Sequence, residues 1–141
     1  MSVGDKKLER VYLYTDGASR GNPGPAAIGV AILDDEGRVI QTLSQALGRR
    51  TNNQAEYEAV IRGLEAAKAL GAAEVQVRMD SELVVRQLMG LYAVRNSKLI
   101  PLAERAIKLL QSFRTYYVMH VPREQNRLAD SLANKALDSR Q

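Results

Sequence analysis

Four acidic residues stand where the sequence pattern marks the end of a strand or the start of a helix: Asp16, Glu56, Asp80 and Asp130. Two carboxylates about 4 Å apart repel each other by roughly 4 kcal/mol at an effective dielectric of about 20, so a cluster of four requires a cation. The chain has no cysteine, which leaves oxygen ligands and the single histidine, His120. Oxygen ligands favour Mg²⁺ or Mn²⁺, and two such ions in one carboxylate site are typical of phosphodiester cleavage.

Each carboxylate also has an ordinary structural explanation. Asp16 could serve only in a turn, and Glu56 could close a capping box begun by Asn53. Asp80 could cap the helix that follows it, and Asp130 could favour the positive end of the last helix. Taken one at a time these explanations are the simpler ones, so the residues alone leave the choice open.

The elements that must position these residues follow from the spacing of apolar side chains, which predicts the order βββαβααβα. The predicted strands cover residues 10–15, 27–34, 38–47, 75–79 and 115–121, and the predicted helices cover 53–70, 81–89, 99–113 and 127–137. Residues 17–26, dense in Gly and Pro, are predicted to form a turn.

This order predicts an α/β fold, with a five-stranded mixed sheet of three antiparallel and then two parallel strands, flanked by helices. In such a sheet, ligand sites form beside the ends of strands and the starts of helices. Asp16 would end the first strand and Asp80 the fourth, so that both carboxylates emerge at one edge.

Length and charge narrow the class of protein. A chain of 141 residues is the usual size of one domain. The net charge of +4 and the pI of about 9.5 favour a polyanion such as nucleic acid as partner. Because we find neither a signal peptide nor a membrane-spanning stretch, we expect a cytoplasmic protein with no membrane partner. We also expect it to be a monomer. Motifs for a phosphate-binding P-loop or a serine-hydrolase elbow are missing from the sequence.

Four motifs carry a resemblance to a known family: YTDGASRGNPGPAAIG, TNNQAEYEAVIRGL, VRMDSELVVRQL and REQNRLADSLANKA, at residues 14–29, 51–64, 77–88 and 123–136. In this order and spacing the chain resembles the type 1 ribonuclease H family from about residue 10 to residue 137. The resemblance implies one ribonuclease H domain with the ribonuclease H-like fold over residues 1–141. Residues 1–9 are polar, and we expect them to form a flexible leader.

The resemblance also implies an activity and its catalytic centre. The family hydrolyses the RNA strand of RNA/DNA hybrids endonucleolytically, with little sequence preference, leaving 5′-phosphate and 3′-hydroxyl ends. It uses a pair of Mg²⁺ ions, with Mn²⁺ as a substitute. The residues that match its catalytic metal ligands are Asp16, Glu56, Asp80 and Asp130.

Two sets of substrate-binding residues are implied in the same way. The set expected to recognise RNA 2′-hydroxyls in the minor groove comprises Gly17, through its backbone, and Asn22, Asn52, Asn53 and Gln54. The set expected to grip a phosphate of the DNA strand comprises Arg49, Thr51 and Asn96. Asn22 and Asn52 also fit turn or cap chemistry, and the two roles can coexist.

A histidine that many family members carry on a loop before the last acidic residue is missing from residues 121–130. His120 lies earlier, where we expect it to pack within the fifth strand. Our hypothesis is that Arg123 or Glu124 partly substitutes for the loop histidine.

A basic helical protrusion, present in some members, is also missing. Residues 90–98 are too few for it and contain only two basic side chains, Arg95 and Lys98. This compact form predicts modest hybrid affinity that falls with salt, and it leaves double-stranded RNA open as a second substrate.

Two other interpretations share the fold. The first is a non-catalytic hybrid-binding module, although a pure binder gains nothing from clustered negative charge that faces a polyanion. The second is another phosphoryl-transfer nuclease, such as a transposase, a resolvase or a small phosphatase. Those enzymes generally lack the TNN segment found here at residues 51–53.

Overall fold

The fold is built on a five-stranded sheet with strand order β3-β2-β1-β4-β5, in a computed structural model that describes residues 8–139. The strands are β1 (Arg10–Ser19), β2 (Gly24–Leu33), β3 (Val39–Arg50), β4 (Glu74–Met79) and β5 (Thr115–His120). The helices are α1 (Asn52–Ala69), α2 (Glu82–Leu88), α3 (Ile100–Gln111) and α4 (Arg127–Asp138), and a short 3₁₀ helix covers Arg123–Gln125.

The pairing of the strands confirms the predicted order and the mixed sheet. Strand β2 pairs antiparallel with both β1 and β3, while β4 pairs parallel with β1 on one side and β5 on the other. Buried and partly exposed residues alternate along β4 as predicted, and Val75, Val77 and Met79 belong to the hydrophobic core. None of the helices between residues 8 and 139 has the length and apolar character needed to cross a membrane.

Two glycines let helices approach the two faces of the sheet closely. A Cβ added at Gly17 would overlap the backbone of Ala55 in α1. A Cβ added at Gly29 would overlap the carbonyl oxygen of Ala129 in α4 and lie 2.6 Å from the amide nitrogen of Ala133. Gly29 pairs with Asp16 across β1 and β2, and Gly17 is the next residue along β1. Paired residues share a face of the sheet and consecutive residues alternate between faces, so Gly29 and Gly17 lie on opposite faces. Helices α1 and α4 therefore pack on opposite faces of the sheet beside Asp16.

The turn predicted over residues 17–26 is mostly strand, so that prediction was wrong. The pairing of β1 and β2 continues through Ser19 and Ala26, and only residues 20–23 connect the two strands. Gly17 serves the close approach of α1 rather than a turn, whereas Gly24 closes the short connection, where an added Cβ would overlap the carbonyl oxygen of Arg20. As a result Asp16 lies inside β1 and not at its end.

The N-terminal leader is described only in part. Residues 1–7 lie outside the described residues. Leu8 packs against the hydrophobic core, and the carbonyl oxygen of Glu9 accepts hydrogen bonds from Ala73 and Glu74. The prediction of a flexible leader was therefore wrong for Leu8 and Glu9, which join the folded body.

Candidate active site

Three carboxylates converge beside the sheet. Oxygen atoms of Asp16, Glu56 and Asp80 all lie within 4.8 Å of one another. Asp16 projects from β1 and Asp80 follows the last residue of β4, the parallel neighbour of β1, while Glu56 comes from the N-terminal part of α1. Asp130, in the first turn of α4, lines the same cavity of about 430 Å³. All four predicted residues therefore line one cavity, and the carboxylates of Asp16, Glu56 and Asp80 lie closest together.

Burial and mutual repulsion raise the pKa of two of these groups. Desolvation raises the pKa of Asp16 far above the ordinary carboxyl range, and the charges of Glu56, Asp80 and Asp130 raise it further. Desolvation also raises the pKa of Glu56, whereas a hydrogen bond from the Gly17 amide, 2.5 Å from Glu56 Oε1, acts in the opposite direction.

The donor set fits a hard divalent cation. Asp16 and Glu56 are only 6% and 4% exposed, so solvent does little to relieve the repulsion between their charges. A bound cation would do so, and every donor atom in the group is an oxygen, which is the ligand type that Mg²⁺ and Mn²⁺ prefer.

The ordinary explanation for Glu56 is wrong. The capping box of α1 is formed by Thr51, which accepts the N–H of Gln54, and by Gln54 Oε1, which accepts the N–H of Thr51. Asn53 does not begin it. Glu56 takes no part in the cap and is turned towards Gly17 instead.

The explanations for Asp16 and Asp80 are also wrong. Asp16 is a strand residue, and Ser81 caps α2 by accepting the N–H of Val84. Asp130 does lie in the first turn of α4, as its ordinary explanation requires, and it lines the carboxylate cavity as well.

The predicted minor-groove residues gather around the start of α1. Asn22 Oδ1 accepts the N–H of Asn52 at 3.0 Å, which ties the 20–23 connection to the helix. Asn52 and Gly17 line the carboxylate cavity. Asn53 is half-buried, and the side chain of Gln54 is engaged in the capping box. Asn22 thus performs the predicted cap chemistry, which leaves its contact with substrate a prediction.

The predicted phosphate-gripping residues are less closely assembled. Arg49 is exposed near the end of β3, and Thr51 caps α1. Asn96 lies before α3, where its side chain accepts the N–H of Lys98. Within residues 8–139, Asn96 makes no hydrogen bond to Arg49 or Thr51, so the grouping of the three stays a prediction.

His120 differs from its expected place. It is exposed and lines the carboxylate cavity, rather than packing within the sheet as predicted. The cause is its position as the last residue of the edge strand β5, where its parallel partner, Met79, directly precedes Asp80. Of the two predicted loop auxiliaries, Arg123 also lines this cavity, whereas Glu124 lines a neighbouring one beside Asp130.

The sequence analysis missed Asn126. This residue is 1% exposed, and its Nδ2 donates to the carbonyl oxygen of Thr15 at 2.9 Å and to Asp80 Oδ2 at 3.3 Å. It stands inside the REQNRLAD motif, but an asparagine at a helix start suggests only a cap. The contacts cross 111 and 46 positions of sequence, so no local pattern reveals them.

Comparison with known proteins identifies the family. Residues 14–136 match the family described as Reverse transcriptase-like. Ribonuclease HI of Halobacterium salinarum is 46% identical over 92% of this chain and 65% of that protein. The crystal structure of RNase H1 from that archaeon has a TM-score of 0.90 and 46% identity, covering 92% of this chain and 98% of that one. The structure of LC11-RNase H1 in complex with an RNA/DNA hybrid has a TM-score of 0.87 and 43% identity, and the match covers 92% of this chain and 97% of that one.

The chain therefore belongs to the ribonuclease H family. It spans 65% of the length of the Halobacterium relative and 36% of mycobacterial relatives that are 45% identical to it.

Proposed function

We propose that this protein is an endoribonuclease that hydrolyses the RNA strand of RNA/DNA hybrids, with little sequence preference, and leaves 5′-phosphate and 3′-hydroxyl ends. The observation that carries the proposal is the group formed by Asp16, Glu56 and Asp80, whose oxygens lie within 4.8 Å of one another. It is supported by relatives named ribonuclease HI and RNase H1, one of which was solved with an RNA/DNA hybrid.

The residues that would hold divalent cations are Asp16, Glu56, Asp80 and Asp130. When bound, two Mg²⁺ ions, or Mn²⁺ in their place, would supply an activated water and a counter-charge for the leaving 3′-oxygen. The chain's own part is to hold the ligands still: β1 fixes Asp16, and the Gly17 amide fixes one oxygen of Glu56.

The substrate would lie across the cavity, with the RNA strand over the carboxylates. Asn52 and the backbone of Gly17 line this cavity and can meet the 2′-hydroxyls that distinguish RNA from DNA. Asn22, Asn53 and Gln54 would extend that contact along the minor groove. Arg49, Thr51 and Asn96 would together bind a phosphate of the DNA strand, which would set the register without selecting a sequence.

A substrate panel tests the proposal. The purified protein is offered an RNA/DNA hybrid, duplex DNA and duplex RNA of one sequence, each with Mg²⁺, with Mn²⁺ and with EDTA. We expect cleavage of the hybrid that depends on the cation, with ends that a ligase and a phosphatase identify as 3′-hydroxyl and 5′-phosphate. Binding of the hybrid without cleavage would favour a non-catalytic module. Preferential cleavage of duplex DNA would favour another nuclease on the same fold.

A further inference from the structure

Asn126 contacts three of the four segments that carry the acidic residues. Its Nδ2 donates to the carbonyl of Thr15, the residue before Asp16, and to the carboxylate of Asp80. Its own carbonyl oxygen accepts the N–H of Asp130 at 3.1 Å. One residue therefore joins β1, the end of β4 and the start of α4 beside the carboxylate cavity.

The orientation of the amide follows from its partners. Both the Thr15 carbonyl and the Asp80 carboxylate are acceptors, so only the NH₂ group can satisfy them, and its two hydrogens serve one each. The side-chain oxygen of Asn126 accepts no hydrogen bond from the residues between 8 and 139. The side chain thus acts in this region through its two donated hydrogen bonds.

Helix capping does not explain this arrangement. Asn126 occupies the N-cap position of α4, where an asparagine side chain usually accepts a backbone N–H, yet it makes no such bond. The side chain turns to the sheet instead, and it is almost fully buried there. An alanine at this position would lose both donated hydrogen bonds, the one to the Thr15 carbonyl and the one to Asp80, and only the second of these reaches a carboxylate of the site.

We propose that Asn126 is a positioning residue of the metal site, which sets the affinity for divalent cations by holding the Asp80 carboxylate beside β1. This inference rests on the proposed function for the identity of the metal ligands. Because Asp80 follows the end of β4 and is half-buried, its side chain is otherwise held less firmly than those of Asp16 and Glu56. Partners that orient a metal ligand typically change metal affinity by about 10–100-fold when they are removed.

The test is a mutant cycle read by Mn²⁺ binding to the substrate-free protein, measured by electron paramagnetic resonance. The variants are Asn126→Ala, Asp80→Asn and the two combined. Ser131→Ala is the matched control, because Ser131 is an exposed residue of α4 whose hydroxyl, within residues 8–139, donates only to Leu128 of its own helix. Circular dichroism checks folding, and Asn126→Leu, which has a side chain of similar length but neither a donor nor a charge, replaces Asn126→Ala if that variant does not fold.

We expect Asn126→Ala to weaken Mn²⁺ binding by about 10–100-fold and Ser131→Ala to leave it within about twofold. With Asp80→Asn already present, removing Asn126 should weaken binding by less than about threefold, because the two residues act through one contact. If Asp80→Asn abolishes binding altogether, the comparison of Asn126→Ala with Ser131→Ala decides. Unchanged affinity in a folded Asn126 variant, or an equal loss in both backgrounds, would overturn the proposal. If the wild type binds Mn²⁺ but does not cleave the hybrid, the proposed function fails while this result stands.

Discussion

Asp16 and Glu56 are buried side by side, and both have a pKa raised above the ordinary carboxyl range. A raised pKa in the folded protein means that the folded protein holds protons that the unfolded chain releases. Stability from these groups is therefore full below about pH 4, where unfolded carboxyl groups titrate, and is lost as the pH rises towards the raised values.

The metal-free protein should accordingly lose stability as the pH rises from about 4, where unfolded carboxyl groups titrate, to the raised pKa values of about 8 for Glu56 and about 9 for Asp16. The reason is that at the higher pH both Asp16 and Glu56 must carry a negative charge in a buried site, where desolvation and the neighbouring carboxylates oppose it. Urea unfolding in EDTA, followed by circular dichroism, gives the free energy of unfolding at each pH. Asp16→Asn should unfold with a smaller pH dependence than the wild type. A stability difference between the two proteins that does not change with pH would contradict this account.

Arg123 and Glu124, the two proposed substitutes for the loop histidine, differ in their expected effect on turnover. Arg123 lines the carboxylate cavity and can meet substrate phosphate, so Arg123→Ala should lower turnover by about tenfold, which corresponds to about 1.4 kcal/mol. Glu124 lines only the neighbouring cavity, and Glu124→Ala should have a smaller effect. Arg114→Ala, at the opposite end of β5, is the control. If both variants keep wild-type turnover, the hypothesis that this segment substitutes for a loop histidine is wrong.

Among the elements, β1, β4, α1 and α4 place the four carboxylates, and β2 receives α4 at Gly29. Apolar periodicity predicts these elements and their order, because burial against the sheet imposes it. It does not predict that β1 continues past Asp16, because glycines such as Gly17 occur both in turns and where another backbone packs closely. Only the packing of α1 against Gly17 distinguishes the two uses.

Gly29→Ala tests the close seating of α4. The added methyl group would overlap the backbone of α4 at Ala129 and Ala133, so we expect a loss of about 1–3 kcal/mol in the free energy of unfolding. Because the helix carries Asp130, hybrid cleavage should fall as well. Gly37→Ala is the control: that residue has a φ of 80° with open space around it, so the variant should lose about 1 kcal/mol and retain activity. Full activity and stability in Gly29→Ala would contradict the packing described here.

At the scale of the whole molecule, a net charge of +4 accompanies a cavity rich in acidic residues. The sequence predicts this balance, the mixed sheet and the gathering of acidic residues at one site. It does not predict the exposure of His120 or the contacts of Asn126, because these depend on which strand forms the edge and on residues far apart in sequence.

Hybrid affinity should be modest and should fall with salt. The segment between α2 and α3 forms no helix and carries Arg95 and Lys98. We expect these two residues, with Arg49 and Arg123, to supply four cations that contact substrate phosphates. At about −0.9 per phosphate neutralised, the slope of log affinity against log salt should be near −4. Fluorescence anisotropy with a labelled hybrid in EDTA measures it. Tight binding that persists at high salt, or a much steeper slope, would contradict the compact binding surface.

The central claim is that the acidic group beside β1 cleaves RNA paired with DNA, and the cleavage rate of Asp16→Asn tests it most directly. Hybrid cleavage by this variant is compared with that of the wild type and of Asp35→Asn, an exposed aspartate in the connection between β2 and β3. Mg²⁺ and Mn²⁺ are used in parallel. We predict a loss of at least about 100-fold for Asp16→Asn with either ion, and wild-type rates for Asp35→Asn. Wild-type cleavage by a folded Asp16→Asn protein would contradict the account.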